Sequence, residues 1–164
     1  MPLSNARLTT LKAAILAETD PVFVALRDAE ATPAMAAWFN EAASPAETAW
    51  GTSVDRRTLD EAATYTTFDA LSAGKRDLWR LFIDGAPRNM EKAKNRSVVT
   101  DVWGTATASS IAEAVLQAST RSISRAEKLL GGSTTATTGT VTAKRLSWGG
   151  PLLAGDVVDA LART

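Results

Sequence analysis

The sequence predicts a mainly α fold: a compact bundle of short helices, then a C-terminal β-strand or hairpin arm and a final short helix. Three patterns carry this prediction. Apolar residues recur at helical spacing along most of the chain, and the runs are bounded by proline, serine, threonine or glycine, which start or stop helices. A third pattern, a threonine- and glycine-rich stretch near the C-terminus, is typical of loops and strands. We therefore expect a helical domain over residues 1–132, and the loop, the arm and the terminal helix over residues 133–164.

The first helices are predicted from their apolar faces and their start signals. Leu8–Leu16 places its large apolar residues on one face. Pro21 and Thr32-Pro33 stand where proline is tolerated, in the first turn of a helix. A second helix is therefore expected from Pro21 and a third over Ala34–Ala42. Thr58-Leu-Asp-Glu61 fits a capping box and predicts a further short helix.

Two helices are expected in the middle of the chain. Ser72 fits an N-cap for a helix over Ala73–Ile83, and Val98–Trp103 forms an apolar stripe that Gly104 closes. Because they keep helical spacing, four residues of the first of these helices are expected to face the core: Leu78, Trp79, Phe82 and Ile83.

The C-terminal part of the chain has two more capping-box signatures, and after them its composition becomes rich in threonine and glycine. Ser110-Ile-Ala-Glu113 and Ser124-Arg-Ala-Glu127 predict two more helix starts, and Gly131-Gly132 ends the second helix. Ser133–Gly139 is then expected to be a mobile loop, and Thr140–Trp148 has the composition of a strand.

The predicted strand is a candidate intersubunit arm. A lone strand or hairpin is only marginally stable, so pairing with a strand of another subunit would stabilise it. Ala154–Ala162 closes the chain as a short helix. The candidate arm residues are Thr140, Val141, Lys144, Arg145, Leu146 and Trp148.

Composition excludes several kinds of chemistry. The chain has no histidine and no cysteine, so imidazole bases, thiolate nucleophiles, disulfides and the usual zinc ligands are ruled out. The carboxylate pairs Glu41 with Glu47 and Asp60 with Glu61 lie in polar contexts, with no apolar burial to raise a pKa. We therefore expect no enzymatic activity, no metal and no cofactor. No run of about 18 apolar residues predicts a membrane span, and charged residues interrupt any signal-peptide pattern at the N-terminus.

Charge is unevenly distributed along a chain whose net charge is zero. Residues 1–70 carry 5 basic and 10 acidic side chains, residues 71–96 carry 7 and 3, and residues 97–164 carry 6 and 5. Such a distribution suits docking on an acidic neighbour or proximity to DNA phosphates, and a solvated helical face is the alternative. The candidate basic face consists of Lys75, Arg76, Arg80, Arg88, Lys92, Lys94 and Arg96.

A helix-turn-helix is a less favoured hypothesis. Ile111–Ala118, a turn at Ser119–Ile123 and Ser124–Leu130 have roughly its length. The neutral chain, with a pI of about 6.3, lacks the basic excess of proteins that read DNA sequence, so an ordinary helical hairpin is favoured. The candidate phosphate contacts of such a motif are Arg121, Arg125 and Lys128.

Three blocks of the sequence carry a family resemblance. They are AWGTSVDRRTLDEA (Ala49–Ala62), LSAGKRDLWRLFIDGAPRN with VWGTA (Leu71–Asn89 and Val102–Ala106), and RSISRAEKLLGGSTTATTGTVTAKRLSWGG (Arg121–Gly150). Together they resemble a family of small virion proteins of tailed bacteriophages, from the head-to-tail connector (adaptor) region. The similarity spans the chain from about Leu8 to its end.

The resemblance implies a structural protein that forms a ring beneath the portal, commonly of twelve copies, with DNA passing through the lumen. The partners that it implies are further copies of the chain, the portal protein, tail or neck proteins and, without sequence readout, the genomic DNA. The location that it implies is the virion neck between capsid and tail, after assembly in the host cytoplasm. A tail-completion or capsid-associated protein is the alternative.

Overall fold

The protein is described by a computed structural model covering residues 3–63, 65–104 and 108–163. Within these ranges the chain forms nine α-helices, a short 3-10 helix at Tyr65–Ala70 and four strands. The helices are α1 (Asn5–Ala17), α2 (Pro21–Asp28), α3 (Thr32–Asn40), α4 (Arg56–Ala62), α5 (Ala73–Asp84), α6 (Ala93–Trp103), α7 (Ser109–Ala118), α8 (Arg125–Leu130) and α9 (Ala154–Leu161). The strands are β1 (Thr48–Trp50), β2 (Thr120–Ser122), β3 (Thr134–Thr138) and β4 (Val141–Arg145). The predicted predominance of short helices is confirmed.

The chain divides into two compact units that alternate along the sequence. Unit 1 comprises Met1–Glu47, Ser122–Ser133 and Leu146–Thr164. Unit 2 comprises Thr48–Arg121 and Thr134–Arg145. This division does not follow the predicted domain boundary after residue 132, because the hairpin of the C-terminal segment belongs to unit 2 and its last helix to unit 1.

Unit 1 is built on helices that pack their apolar faces together. Its core contains an aromatic cluster in which the Phe23 ring lies 4.7 Å from the Trp38 ring and 5.3 Å from the Phe39 ring, between centroids. Tilted and edge-to-face pairs of this kind stabilise a core beyond the area that they bury. Around the cluster pack apolar residues of α1, α8 and α9: Leu8, Leu11, Ile15, Ala126, Leu130, Val157 and Ala160.

Unit 2 packs helices against a small mixed sheet. Trp50, Trp79 and Trp103 are fully buried in its core, and the rings of Trp79 and Trp103 meet edge to face at 5.4 Å. The strand order is β2-β1-β4-β3. Val141 and Ala143 of β4 point into the core.

The sheet corrects two sequence predictions. The expected loop at Ser133–Gly139 is strand β3, which pairs antiparallel with β4 from Thr134↔Arg145 to Thr138↔Val141. The hairpin is also not alone, because β4 pairs in parallel with β1 through Ala49↔Lys144. Gly139, with φ of +58°, occupies the first position of the two-residue hairpin loop, where the left-handed region favours glycine.

Most helix starts follow the predicted caps. The Ser72 side chain accepts a hydrogen bond from the Lys75 amide at the start of α5. At α8 the full capping box forms, since Ser124 accepts from the Glu127 amide and the Glu127 carboxylate accepts from the Ser124 amide. Pro21 opens α2, as predicted.

Two predicted capping boxes are wrong. Helix α4 starts before Thr58, because the Asp55 carboxylate accepts the Thr58 amide hydrogen at 2.7 Å and caps the helix itself. This bond holds the pKa of Asp55 below its usual value. Helix α7 includes Ser110 in its first turn and starts after Ala108, with no side chain capping it.

Candidate interaction surfaces

The seven basic residues predicted as one face occupy three kinds of environment. Arg96 is buried, and its guanidinium donates to the carbonyls of Met90 and Glu91 at 2.6 and 2.7 Å. It also donates to the Thr138 hydroxyl at 2.8 Å and stacks over the Trp50 ring. Burial, and after it the nearby charge of Arg145, lowers the pKa of Arg96. Arg96 is therefore a core residue of unit 2, and its prediction as a surface residue is wrong.

A second group of basic residues binds carbonyls at the ends of helices. Arg88 donates to the Phe82 and Leu81 carbonyls at 2.7 and 3.0 Å, at the C-terminus of α5. Gly85 permits this approach, since a Cβ there would lie 2.2 Å from the Arg88 guanidinium. Lys75 likewise donates to the Val102 carbonyl near the end of α6 at 3.3 Å.

Arg76 completes this group by donating to the Asp69 carbonyl at 3.2 Å, in the last turn of the 3-10 helix. All three cations stand where the negative end of a helix dipole favours positive charge. They stabilise unit 2, and because carbonyls carry no formal charge their positive charge is retained.

The third group is exposed. Arg80 lies 3.6 Å from Asp77 on the outer side of α5. Lys92 and Lys94 stand at the start of α6, where Lys92 is the N-cap residue and makes no side-chain capping bond. The predicted basic face is thus dispersed over α5, the connection after it and the first turn of α6.

The outer side of α5 is also apolar. Leu81 is 71% exposed and Leu78 is 38% exposed, while Trp79, Phe82 and Ile83 are buried. The prediction that Leu78 points inward is therefore wrong. The side chains of Trp79, Phe82 and Ile83 fill the core side of the helix. Leu78 lies at the edge of that stripe, next to Leu81 on the outer face.

A second exposed apolar pair, absent from the predicted sites, flanks the turn between α1 and α2. Leu16 is 58% exposed and Val22 is 64% exposed. Glu18 and Asp20 lie in the turn itself, where each carboxylate accepts backbone amide hydrogens. The sequence signal for this pair is weak, because Leu16 also continues the apolar stripe of α1.

The two units carry opposite net charge. Unit 1 has six basic and nine acidic side chains, a net charge of −3, and unit 2 has twelve basic and nine acidic side chains, a net charge of +3. The uneven charge seen along the sequence therefore becomes a division between two folded bodies.

The residues of the predicted arm are distributed between the two units. Val141 is buried in unit 2, and Lys144 and Arg145 lie in the same strand. Leu146 and Trp148 belong to unit 1, where the half-buried Trp148 packs against its core. Because β4 has strand partners on both sides within the chain, the monomer supplies the pairing that was expected from another subunit. An intersubunit role stays a prediction for the exposed residues, including Thr140.

Two of the three candidate phosphate contacts of the helix-turn-helix hypothesis, Arg125 and Lys128, instead make contacts within unit 1. Arg125 donates to the Glu41 carboxylate at 2.8 Å and stacks over the Trp38 ring, with the guanidinium carbon 3.9 Å from the ring centroid. Lys128 lies 3.1 Å from the Glu47 carboxylate. Both cations are thereby neutralised by neighbouring acids, and the turn that the motif requires is instead strand β2.

The carboxylates considered for catalysis are engaged in the same way. Glu41 and Glu47 pair with these cations, Glu61 pairs with Arg57 at 2.6 Å, and Asp60 accepts a hydrogen bond from the Tyr65 hydroxyl. Across residues 3–63, 65–104 and 108–163 there is no group of three or more potential metal ligands drawn from aspartate, glutamate, histidine and cysteine.

Comparison of the chain with protein-family models, with curated proteins and with solved structures finds no match. None of the helices in the described part of the chain has the length and apolar character needed to cross a membrane.

Proposed function

We propose that the chain is a self-assembling structural protein, and in particular a subunit of the head-to-tail connector (adaptor) ring of a tailed phage. In this role it joins the portal to the tail, and DNA passes through the lumen of the ring. The proposal is supported by the resemblance of residues 49–62, 71–89 with 102–106, and 121–150 to small virion proteins of the connector region.

The observation that carries the proposal is the opposite charge of the two units. Subunits of a closed ring meet through two different surfaces, and each copy must therefore present both of them. A chain with a unit of −3 and a unit of +3 suits such contacts, because complementary charge guides encounter and disfavours wrong pairings. Each unit also exposes apolar side chains, among them Val22 and Leu81, which an interface would bury.

The exposed lysines of α6 suit the proposed passage of DNA. Lys92 and Lys94 project from the start of the helix, where phosphate oxygens are favoured by both the lysine charge and the helix dipole. Such contacts would be independent of DNA sequence and would weaken as salt concentration rises.

The proposal is tested by mixing the purified chain with the portal protein of the same phage. Light scattering should give a mass well above the monomer, and negative-stain electron microscopy should show rings attached to one end of the portal. A chain that stays monomeric in both the presence and the absence of portal protein would contradict the proposal. Cryo-microscopy of virions separates a connector from a tail-completion or capsid-associated protein by the position of the corresponding density.

A further inference from the structure

Two apolar patches stand out on the described surface because their members lie close together along the chain. Leu78 and Leu81 are three residues apart on α5 and so share one face of the helix. Leu16 and Val22 flank the turn that joins α1 to α2, which we name the α1–α2 corner. Leu153 is equally exposed, at 63%, but belongs to neither patch.

The helix that carries the α5 patch has a net positive charge. Asp77 and Asp84 are each paired with an arginine, Arg80 and Arg56 respectively. The remaining cations bind carbonyls, which leaves their charge uncompensated. Helix α5 and the two arginines bound to it carry five basic and two acidic side chains, a net charge of +3: Lys75, Arg76, Arg80, Arg88, Arg56, Asp77 and Asp84.

The α1–α2 corner has a negative surround. Glu18 and Asp20 accept hydrogen bonds from backbone amides, which carry no formal charge, so both carboxylates keep their negative charge. Arg27 donates to carbonyls at the end of α1 and lies 3.7 Å from the Asp28 carboxylate, so its charge is balanced by Asp28. Glu18 and Asp20 therefore give the corner two negative charges.

We propose that copies of the chain associate head to tail, with the α1–α2 corner of one copy docked on the outer face of α5 of the next copy. This inference rests on the proposed ring assembly and identifies its interface. Val22 and Leu16 would bury Leu78 and Leu81, while Glu18 and Asp20 would face the cations of α5. Pairing of either patch with itself would bring like charges together, which disfavours a symmetric dimer.

The test uses two variants that each remove one patch. In Leu81→Asp the α5 face gains a charge and the corner is intact, whereas in Val22→Asp the corner is altered and α5 is intact. Each position is exposed, so circular dichroism should show folded protein. Sedimentation equilibrium, alone and with portal protein, should show self-association weakened at least tenfold in each variant.

The decisive measurement is an equal mixture of the two variants. The intact corner of Leu81→Asp can dock on the intact α5 of Val22→Asp, so the mixture should form a dimer that grows no further. Leu153→Asp is the matched control, because it places the same charge at an equally exposed leucine outside both patches. It should assemble as the unaltered chain does.

Cross-linking gives an independent readout of the same pairing. The chain has no cysteine, so Val22→Cys and Leu81→Cys copies each carry one thiol that a short bis-maleimide can join. The mixture should yield mostly the mixed dimer, and few dimers of either variant alone. A mixture of Leu153→Cys with Leu81→Cys reports random collision and should give little product.

The outcomes distinguish an error in the proposed interface from an error in the proposed function. If the unaltered chain forms rings and Leu81→Asp or Val22→Asp does so equally well, the interface is wrong and the proposed function stands. If neither variant assembles alone and their mixture also stays monomeric, the head-to-tail pairing is wrong. Failure of the unaltered chain to assemble, even with portal protein, overturns the proposed function and this inference together.

Discussion

Each unit contains an arginine stacked on a tryptophan, and the two pairs differ in how the charge is stabilised. In unit 1 the Arg125 guanidinium lies 3.9 Å from the Trp38 ring, is partly exposed and binds the Glu41 carboxylate. In unit 2 Arg96 lies 4.8 Å from the Trp50 ring, is buried, and donates to two carbonyls and a hydroxyl.

The difference shows that the role of a cation depends on its acceptors rather than on its place in a charged run. A buried cation needs several well-placed acceptors to offset its desolvation. Arg96 meets this need by joining the connection before α6 to strand β3 of the sheet. Arg125 is hydrated in part and links α8 to the end of α3, so it contributes to a local contact.

Replacement of Arg96 is expected to have the largest effect. Arg96→Met keeps much of the side-chain volume but leaves the carbonyls of Met90 and Glu91 without their donor. Since a buried polar group left without a partner costs about 1–3 kcal/mol, the free energy of unfolding should fall by about 3 kcal/mol. Urea denaturation followed by tryptophan fluorescence measures this change. A loss below about 1 kcal/mol would show that the guanidinium is not a central support of unit 2.

The corresponding change in unit 1 should cost less. Arg125→Met removes the ion pair with Glu41 and the bond to the Trp38 carbonyl, yet water can reach the groups left behind. We expect a decrease of about 1–1.5 kcal/mol in the free energy of unfolding, within the range for hydrogen bonds to charged groups near a surface. The same urea titration compares the two variants. An equal loss of unfolding free energy at both sites would show that burial does not distinguish the two arginine–tryptophan pairs.

The helices could be predicted from local sequence because their signals lie within a few residues. Ser124 and Glu127 are three positions apart, and the apolar stripe of α6 is continuous. The position of Arg96 also has a local signal, since Arg96, Val99 and Trp103 share one helix face at spacings of three and four. Because Arg96 is charged, the sequence nevertheless predicts it as a surface residue.

The sheet and the contact surfaces could not be predicted in this way. Strand β1 has only three residues, and its partner Lys144 is far along the chain from Ala49, so pairing depends on the whole fold. Leu78 and Leu81 are both leucines of one amphipathic helix. Neither is buried, because the core side of that helix is already filled by Trp79, Phe82 and Ile83. The exposed patches therefore required the structure.

The two predicted capping boxes of α7 and α8 offer a matched comparison, in which the expected changes in stability are smaller. Ser124→Ala removes a cap that forms, so the free energy of unfolding should fall by about 1 kcal/mol. Ser110→Ala changes a residue inside the first turn of α7 that caps nothing, and alanine favours helix there, so stability should be unchanged or slightly higher. Equal losses in chemical denaturation would mean that the start of α7 lies at Ser110 after all.

The smallest expected effect concerns Tyr65, the one tyrosine of the sequence. Partial burial, and after it the hydrogen bond to Asp60, raises the pKa of the Tyr65 hydroxyl above its usual value. A titration of tyrosinate absorbance should therefore have its midpoint above that of the unfolded chain in urea. Because the folded state holds this proton more tightly, the contribution to stability is complete below the pKa of tyrosine in the unfolded chain and is lost as pH rises through the folded pKa.

Asp60→Asn provides the control for this titration. It removes the negative charge that receives the Tyr65 hydrogen bond, so the midpoint should move down toward the usual tyrosine value while burial keeps it above that value. A midpoint that is the same in the folded chain, the variant and the unfolded chain would show that the Tyr65 hydroxyl is fully hydrated. Unit 2 would then lack the contact from the Trp79 indole to Tyr65 as well, since that bond depends on the same placement of the ring.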